Sequence, residues 1–232
     1  MNKNLQKLSA WAGFVAMNVF FLGLIVMQFF PALPPGLTPE QVAEIYQSRT
    51  FAIKFGALLL VIAAMFCGPF DAAIYLQLRR MEGVKRPVCS IGQLASGIAN
   101  IQFFILPGIF FVIAAYRPDR PLEVTYALND IAWIVTMLPW TVGAMQCICI
   151  GAGILAHGNA TSAYPRWLGF FNIWIAVGMA TSSVIPFFKS GPFAWNGLVG
   201  FWIPATVFGL WMAVMWWMTL KAIATDDGTE PA

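Results

Sequence analysis

The chain has 232 residues, of which 59% are hydrophobic and only 10% are charged, and its formal net charge is +3. A soluble domain of this size carries about 25% charged and 45–50% apolar residues, so this composition excludes a soluble globular fold. A membrane-spanning helix takes about 20 apolar residues, which limits the chain to about six or seven spans. The lipid bilayer is the predicted partner, and the small net charge gives no indication of a nucleic-acid partner.

The first apolar run covers residues 8–30 and follows Lys3 and Lys7. A secretory signal peptide also begins with positive charge, but its apolar region is only about 7–15 residues long. We therefore interpret this longer run as a retained first span.

The segment after the first span has the signature of a short helix. Thr38 can cap the helix, Pro39 suits its first turn, and Gln41 completes a capping box. The apolar residues that follow recur on one face. This pattern predicts an interfacial helix over 38–49 that lies on the membrane surface.

Five further apolar runs follow, each bounded by charged residues, glycine or proline. They predict spans over 51–78, 90–116, 131–156, 167–188 and 193–220. The sequence shows none of the strand alternation that a membrane barrel requires. The predicted fold class is all-α: a polytopic integral membrane protein with a six-helix transmembrane bundle, forming a single transmembrane domain over 1–232.

Lysine and arginine are divided unequally between the two ends of the predicted spans. Eight of the thirteen fall at the end that holds both termini: Lys3, Lys7, Arg79, Arg80, Lys85, Arg86, Arg166 and Lys221. Cytoplasmic loops carry the excess of these residues. The distribution predicts a multi-pass protein of the cell's inner (plasma) membrane with both termini in the cytoplasm.

The cysteine and histidine content does not favour a metal site or a cofactor. The cysteines are Cys67, Cys89, Cys147 and Cys149, and no two form a CxxC pair, so we interpret them as packed thiols. The one histidine, His157, lies at a span end, which excludes a bis-histidine haem site. No Ser-His-Asp, HExxH or phosphate-loop pattern is present, and the sequence predicts that the protein is not an enzyme.

Each of spans two to six contains a proline. These prolines are Pro69, Pro107, Pro139, Pro186 and Pro204. A proline inside a helix removes one backbone hydrogen bond and clashes with the carbonyl four residues back. The pattern predicts kinked helices, which enclose a cavity more easily than straight ones.

Five of the six spans place one amide or carboxylate at a similar depth, about 9–17 Å from the cytoplasmic end at 1.5 Å per residue. These residues are Asn18, Asp71, Asn100, Gln146 and Asn172. Trp140 and Trp174 lie deep in their spans, where aromatic walls can contact a flat apolar ligand. We predict that these seven residues bind a ligand. The alternative is that the amides join helices and the tryptophans fill space.

Asp71 is the most informative member of this set, because an ionisable residue inside a span is by default a functional-site hypothesis. It continues a stripe of small residues on its helix, which predicts that it faces another helix and not lipid. The predicted contacts are polar residues at a similar depth: Ser96, Asn100, Gln146 and Asn172.

The sequence favours one function and leaves two alternatives open. The favoured hypothesis is binding or transport of a small, largely apolar or aromatic molecule through a polar pocket in the cytoplasmic half. The first alternative is a membrane-embedded accessory subunit of a larger complex, with another membrane protein or a second copy of the chain as its partner. The second is a lipid- or sterol-modifying enzyme with Asp71 as acid or base, which the lack of a buried histidine weakens.

Overall fold

The computed structural model describes residues 2–83, 87–157 and 163–226. The regular structure of these residues is helical, and six segments are long and apolar enough to cross a membrane. They are Lys3–Val26, Thr50–Glu82, Val88–Tyr116, Leu122–His157, Arg166–Phe187 and Leu198–Ala224. The predicted all-α fold with six spans is confirmed, and the chain is a polytopic membrane protein.

Five of the six segments are interrupted, so that each is built from two pieces. The α-helices are α1 (Lys3–Val26), α2 (Pro39–Ser48), α3 (Thr50–Ala64), α4 (Cys67–Glu82), α5 (Val88–Asn100), α6 (Gln102–Tyr116), α7 (Leu122–Met137), α8 (Trp140–His157), α9 (Arg166–Met179) and α10 (Ile203–Ala224). A 3₁₀ helix, Ala180–Phe187, continues α9, and a π-helical turn, Leu198–Trp202, precedes α10.

Proline accounts for the interruption between α3 and α4. Pro69 cannot donate to the carbonyl of Met65, so the chain cannot continue as a regular α-helix there. It tightens instead: the backbone N–H of Met65 donates to Ile62 and that of Phe66 donates to Ala63, both at 3.2 Å. The second span is therefore interrupted close to Pro69.

The third span differs from the sequence prediction. Pro107 lies inside the continuous helix α6. The break falls earlier, at Ile101, whose N–H donates to the Ile98 carbonyl three residues back at 3.2 Å. In the other interrupted spans Pro139 precedes α8, Pro186 lies in the 3₁₀ helix, and Pro204 lies in the first turn of α10.

The first span ends earlier than the hydropathy pattern predicts. Gln28 adopts a left-handed conformation with φ of 58°, its N–H donates to Ile25 at 2.9 Å, and the N–H of Phe29 donates to Leu24 at 2.8 Å. These two bonds form a Schellman motif, which satisfies carbonyls at the helix end. The turn directs Phe29 into the protein core, where it is fully buried.

The two ends of the bundle are distinguished by which segments meet there. At one end, which we call the terminal end, Gln77 of α4 donates to Oε1 of Gln6 at 2.8 Å, and Arg80 donates to the Ala222 carbonyl at 3.4 Å. At the opposite end, the α2 end, Gln47 donates to the Pro118 carbonyl at 2.9 Å. The terminal end therefore joins α1, α4 and α10.

Helix α2 follows the first span, as predicted, and has the predicted capping box. The N–H of Gln41 donates to the Thr38 hydroxyl, and the N–H of Thr38 donates to Gln41 Oε1 at 2.9 Å. Its apolar face packs against protein, where Val42 and Tyr46 are almost fully buried and the Tyr46 hydroxyl donates to Oδ1 of Asn129 at 3.1 Å. This face packs against α7, a contact that the sequence did not predict.

The fourth span begins at Leu122, well before the predicted boundary at residue 131. The polar composition of 122–130 resembles a loop. Two of its polar residues, Thr125 and Asn129, are nonetheless buried against protein, and Glu123 lies in the first turn, where a negative charge suits the helix dipole. Helical structure in this segment therefore depends on contacts that hydropathy does not register.

Candidate functional site

Asp71 lies inside the bundle and pairs with Gln146 on another span. Its side chain is 4% exposed and that of Gln146 is 2% exposed. Nε2 of Gln146 donates to Oδ1 of Asp71 at 2.8 Å. The predictions that Asp71 faces the interior and contacts an amide of another span are confirmed.

Gly97 of α5 makes this pairing sterically feasible. A Cβ atom at position 97 would lie 2.7 Å from Cγ and Oδ2 of Asp71 and 2.8 Å from Nε2 of Gln146. Each distance is shorter than a carbon atom tolerates, so the two side chains could not keep these positions beside a larger residue at 97. The depth of polar residues along the spans does not indicate Gly97. Its position three residues before Asn100, on the same face of α5, is the signal that could have revealed it.

A small cavity of about 20 Å³, with several polar groups in its wall, lies beside the pair; we call it the polar cavity. Its walls include Asp71, Gly97, Asn100, Phe104, Gln146 and Trp211. A volume of about 10–15 Å³ is enough to hold one water molecule where polar partners are present. The cavity is therefore large enough for one water molecule, and its walls supply both donors and acceptors.

Asn172 contributes to this cavity indirectly. Its Oδ1 accepts a hydrogen bond from Nε1 of Trp211 at 2.9 Å, and its Nδ2 donates to the Leu168 carbonyl at 2.9 Å. Trp211 then forms part of the cavity wall and makes an edge contact with the ring of Phe70, with centroids 6.2 Å apart. Asn172 thus fixes the orientation of a wall residue without reaching the cavity.

A second cavity, of about 60 Å³, adjoins the first and is mainly apolar. Its walls include Phe20, Phe103, Met137, Trp140, Met179 and Phe208, with Asn100, Thr136 and Ser182 as polar members. Asn100 and Phe208 line both cavities. The second cavity also touches Pro139 and Pro204, so it lies at the level where the spans are interrupted.

Four phenylalanine rings contribute to the walls of the two cavities. They are Phe20, Phe103, Phe104 and Phe208, and every pair among them has ring centroids between 5.1 and 6.2 Å apart. Offset and edge-on ring pairs in this distance range are favourable contacts. This cluster, which we call the phenylalanine cluster, joins α1, α6 and α10 in the middle of the bundle.

Besides Asn172, two of the seven predicted ligand-binding residues line neither cavity. Asn18 is exposed on the outer face of α1 and donates to its own helix at the Phe14 carbonyl. Trp174 is 56% exposed on the outer face of α9, next to Phe171. Depth along a span gives the level of a residue in the bundle but not the face of the helix on which it lies. Asn18 and Trp174 were therefore selected although they lie on outer faces, away from the cavities.

The described residues offer the pair neither a positive charge nor a metal-binding group. In residues 2–83, 87–157 and 163–226, the one ion pair within 4.0 Å joins Arg80 to Asp226 at the terminal end. The same residues contain no group of three or more His, Cys, Asp or Glu side chains that could hold a metal ion, and the four cysteines are free thiols. Asp71 is therefore a buried carboxyl group that bonds to an amide and shares its cavity with Gly97, aromatic rings and the Cys67 thiol.

The fold and the cavities define the class: a polytopic membrane protein with a polar pair at the centre of an interrupted helix bundle. Neither a family model, nor a curated protein, nor a solved structure matches this chain. The function must therefore be argued from the cavities and their walls.

Proposed function

We propose that the protein binds a small, largely apolar or aromatic molecule in the apolar cavity, with the polar group of that molecule directed at Asn100 and the Asp71–Gln146 pair. The observation that carries this proposal is the adjacency of the two cavities, which share Asn100 and Phe208. Binding sites for small molecules combine apolar and aromatic walls with a few convergent polar groups. Both elements are present here within one bundle.

The size of the apolar cavity implies that binding moves side chains. A cavity of about 150 Å³ is known to bind benzene, whereas this one has a volume of about 60 Å³. Met137 and Met179 line it, and methionine adopts new rotamers readily because its side chain is unbranched. An aromatic ligand would enter by displacing these two side chains.

Transport of this ligand is the fuller form of the proposal. Interrupted helices occur in transporters at the substrate site, where the two parts of a span can move separately. Here the interruptions near Met65, Ile101, Leu138 and Ala180 surround the cavities. Movement of the pieces about these points would open the cavities toward one end at a time.

For the membrane and the orientation we propose the plasma membrane with both termini in the cytoplasm. The support is the excess of Lys and Arg at the terminal end. A membrane-impermeant maleimide applied to intact cells tests the orientation. We expect labelling of Ser190→Cys, at the α2 end, and protection of Lys3→Cys, with the parent chain as background; the reverse pattern would refute it.

Photolabelling with a small phenyl diazirine tests ligand binding. We expect labelled residues around Trp140 and Met179 and competition by excess toluene. Ala205 lines the apolar cavity, so Ala205→Phe should fill it and abolish this labelling. Ala99→Phe, at an exposed position of α5, is the matched control and should leave it unchanged.

Labelling confined to the outer surface, including Trp174, and insensitive to Ala205→Phe would contradict the binding proposal. Constant copurification of one membrane protein together with such a result would favour the accessory-subunit alternative.

A further inference from the structure

One face of α5 carries polar or small residues along its whole length. Ser90, Gln93, Gly97 and Asn100 are spaced by three, four and three residues, which places them on one side of the helix. Ser90 and Gln93 are fully buried, and Gly97 contacts the Asp71–Gln146 pair. The face therefore extends from the terminal end of the bundle to the polar cavity.

Gln93 is the unexplained residue of this face. Both Oε1 and Nε2 of its side chain are buried, and neither makes a hydrogen bond to any residue that the structure describes. A buried amide without a partner is costly, because it loses its hydrogen bonds to water on folding. The amide offers one acceptor and one donor group, so it can hold water molecules on both sides.

At the terminal end, the polar face of α5 meets the carboxylate of Glu82, at the end of α4. Oε2 of Glu82 accepts hydrogen bonds from the backbone N–H and the hydroxyl of Ser90, both at 2.8 Å, and Oε1 accepts from the N–H of Cys89 at 2.7 Å. Glu82 is partly exposed at the end of α4, so it is in reach of water. From Ser90 to Gly97 the distance along the helix axis is about 10 Å at 1.5 Å per residue.

We propose that this face of α5 is a water path that carries a proton between the terminal end and Asp71, and that Asp71 gains or releases this proton when ligand exchanges in the cavities. The second half of the proposal rests on the proposed function. A proton passes from water at Glu82 through waters held by Ser90 and Gln93 and adds to Oδ2 of Asp71, the oxygen that Gln146 leaves unbonded. The carboxylate becomes a neutral carboxylic acid, no electron is transferred, and release follows the reverse route.

The surroundings of Asp71 make it the proton-binding group of this path. Among the described residues, the one other titratable side chain that faces it is the Cys67 thiol, on its own helix. The groups that face it from α5, α6, α8 and α10 do not titrate: Gly97, Asn100, Phe104, Gln146, Trp211 and Met212. The charge of the site therefore changes with the protonation of Asp71. As a neutral acid, Asp71 could donate a hydrogen bond to the polar group of a ligand.

Infrared spectroscopy of the ligand-free protein tests the path. The carboxylic acid band of Asp71 is assigned by its loss in Asp71→Asn, and its shift after transfer to D₂O reports proton exchange. We expect exchange as fast as mixing in the parent. In Gln93→Met, which keeps the unbranched shape but removes both polar groups, exchange should slow about tenfold, the result of about 1.36 kcal/mol in the barrier.

Leu94→Met is the matched control, because it introduces the same residue one position along α5, off the polar face. It should leave the exchange rate unchanged. If the Asp71 proton exchanges as fast in folded Gln93→Met as in the parent, the proposed water path is wrong. So would the absence of an Asp71 acid band at every pH at which the parent remains folded.

The coupling to ligand has a separate test. Competition by benzyl alcohol, whose hydroxyl oxygen can accept a hydrogen bond from neutral Asp71, should vary with pH in the parent and become independent of pH in Asp71→Asn. Competition in the parent that does not vary with pH would overturn the coupling. Fast, Gln93-dependent exchange in a protein that binds neither diazirine nor toluene would refute the proposed function but not the path.

Discussion

The two halves of the bundle are held together by different contacts. In the half toward the α2 end, aromatic rings dominate: Phe29, Phe111 and Trp133 are fully buried with centroids 5.2–5.8 Å apart. In the half toward the terminal end, polar side chains bond across helices, as in Gln6–Gln77 and Tyr164–Thr219. Lipid provides no hydrophobic driving force between helices, so shape fit and hydrogen bonds must both contribute.

The candidate site lies where these two halves meet. The polar half supplies Asp71 and Gln146, and the phenylalanine cluster supplies the apolar wall. In the proposed function, the fixed polar pair holds the polar group of the ligand and the wall of packed rings adapts to its apolar body. The comparison therefore predicts different responses to mutation in the two halves.

The largest effect on stability is expected in the half toward the α2 end, where α1 and α3 touch through glycine. A Cβ atom at position 23 would lie 2.7 Å from the Gly56 carbonyl oxygen, and one at 56 would lie against the Gly23 carbonyl oxygen. Backbone atoms cannot rotate away, so Gly56→Leu should cost about 3 kcal/mol of unfolding free energy or more. A titration with a denaturing detergent measures this loss.

Gly68→Ala is the matched control for this experiment. A Cβ atom at Gly68 meets nothing within 4 Å, so the alanine should stabilise the fold by about 0.4–1 kcal/mol through the unfolded chain. If Gly56→Leu unfolds within about 1 kcal/mol of the parent, close glycine packing does not hold this half together.

An intermediate effect on stability is expected at the Asp71–Gln146 pair, where the two halves meet. Asp71→Leu removes the acceptor for Nε2 of Gln146 and should cost about 1–3 kcal/mol, because a buried donor is left unpaired. Asp71→Asn keeps an acceptor oxygen and should unfold close to the parent in the same titration. Equal destabilisation by both substitutions would mean that the pair has no need of a hydrogen bond at this position.

The smallest effect concerns the polar exception in the aromatic half, the bond between Tyr46 and Asn129. Tyr46→Phe keeps the ring packed against Phe29 but removes the hydroxyl, and should cost about 1 kcal/mol. Tyr116→Phe, at an exposed position, should have no measurable effect. A cost for Tyr46→Phe as large as that of Gly56→Leu would show that polar contacts dominate in both halves.

The sequence predicts the fold well because apolar length acts locally. Six apolar runs and the capping box at Thr38 are sufficient to locate the spans and α2. The partners of α2 were not predictable, since the apolar face of α2 fits lipid or protein equally well. Its partner Asn129 lies in a segment whose composition alone resembles that of a loop.

The site was predictable in part, for a related reason. Asp71, Asn100 and Gln146 were selected by depth, and the structure brings all three to one cavity. The same criterion also selected Asn18, which lies on the wrong face of α1. Gln93 was not selected, because an amide's lack of partners is visible only once its neighbours are placed.

The most direct test of the central claim, that the interrupted spans enclose a ligand site, is an experimental density map of the protein purified from its native membrane. We predict non-protein density in the apolar cavity beside Asn100, with the side chains of Met137 and Met179 turned away from their present positions. A map in which Met137, Trp140 and Met179 close the cavity completely, with no density between them, would contradict the account.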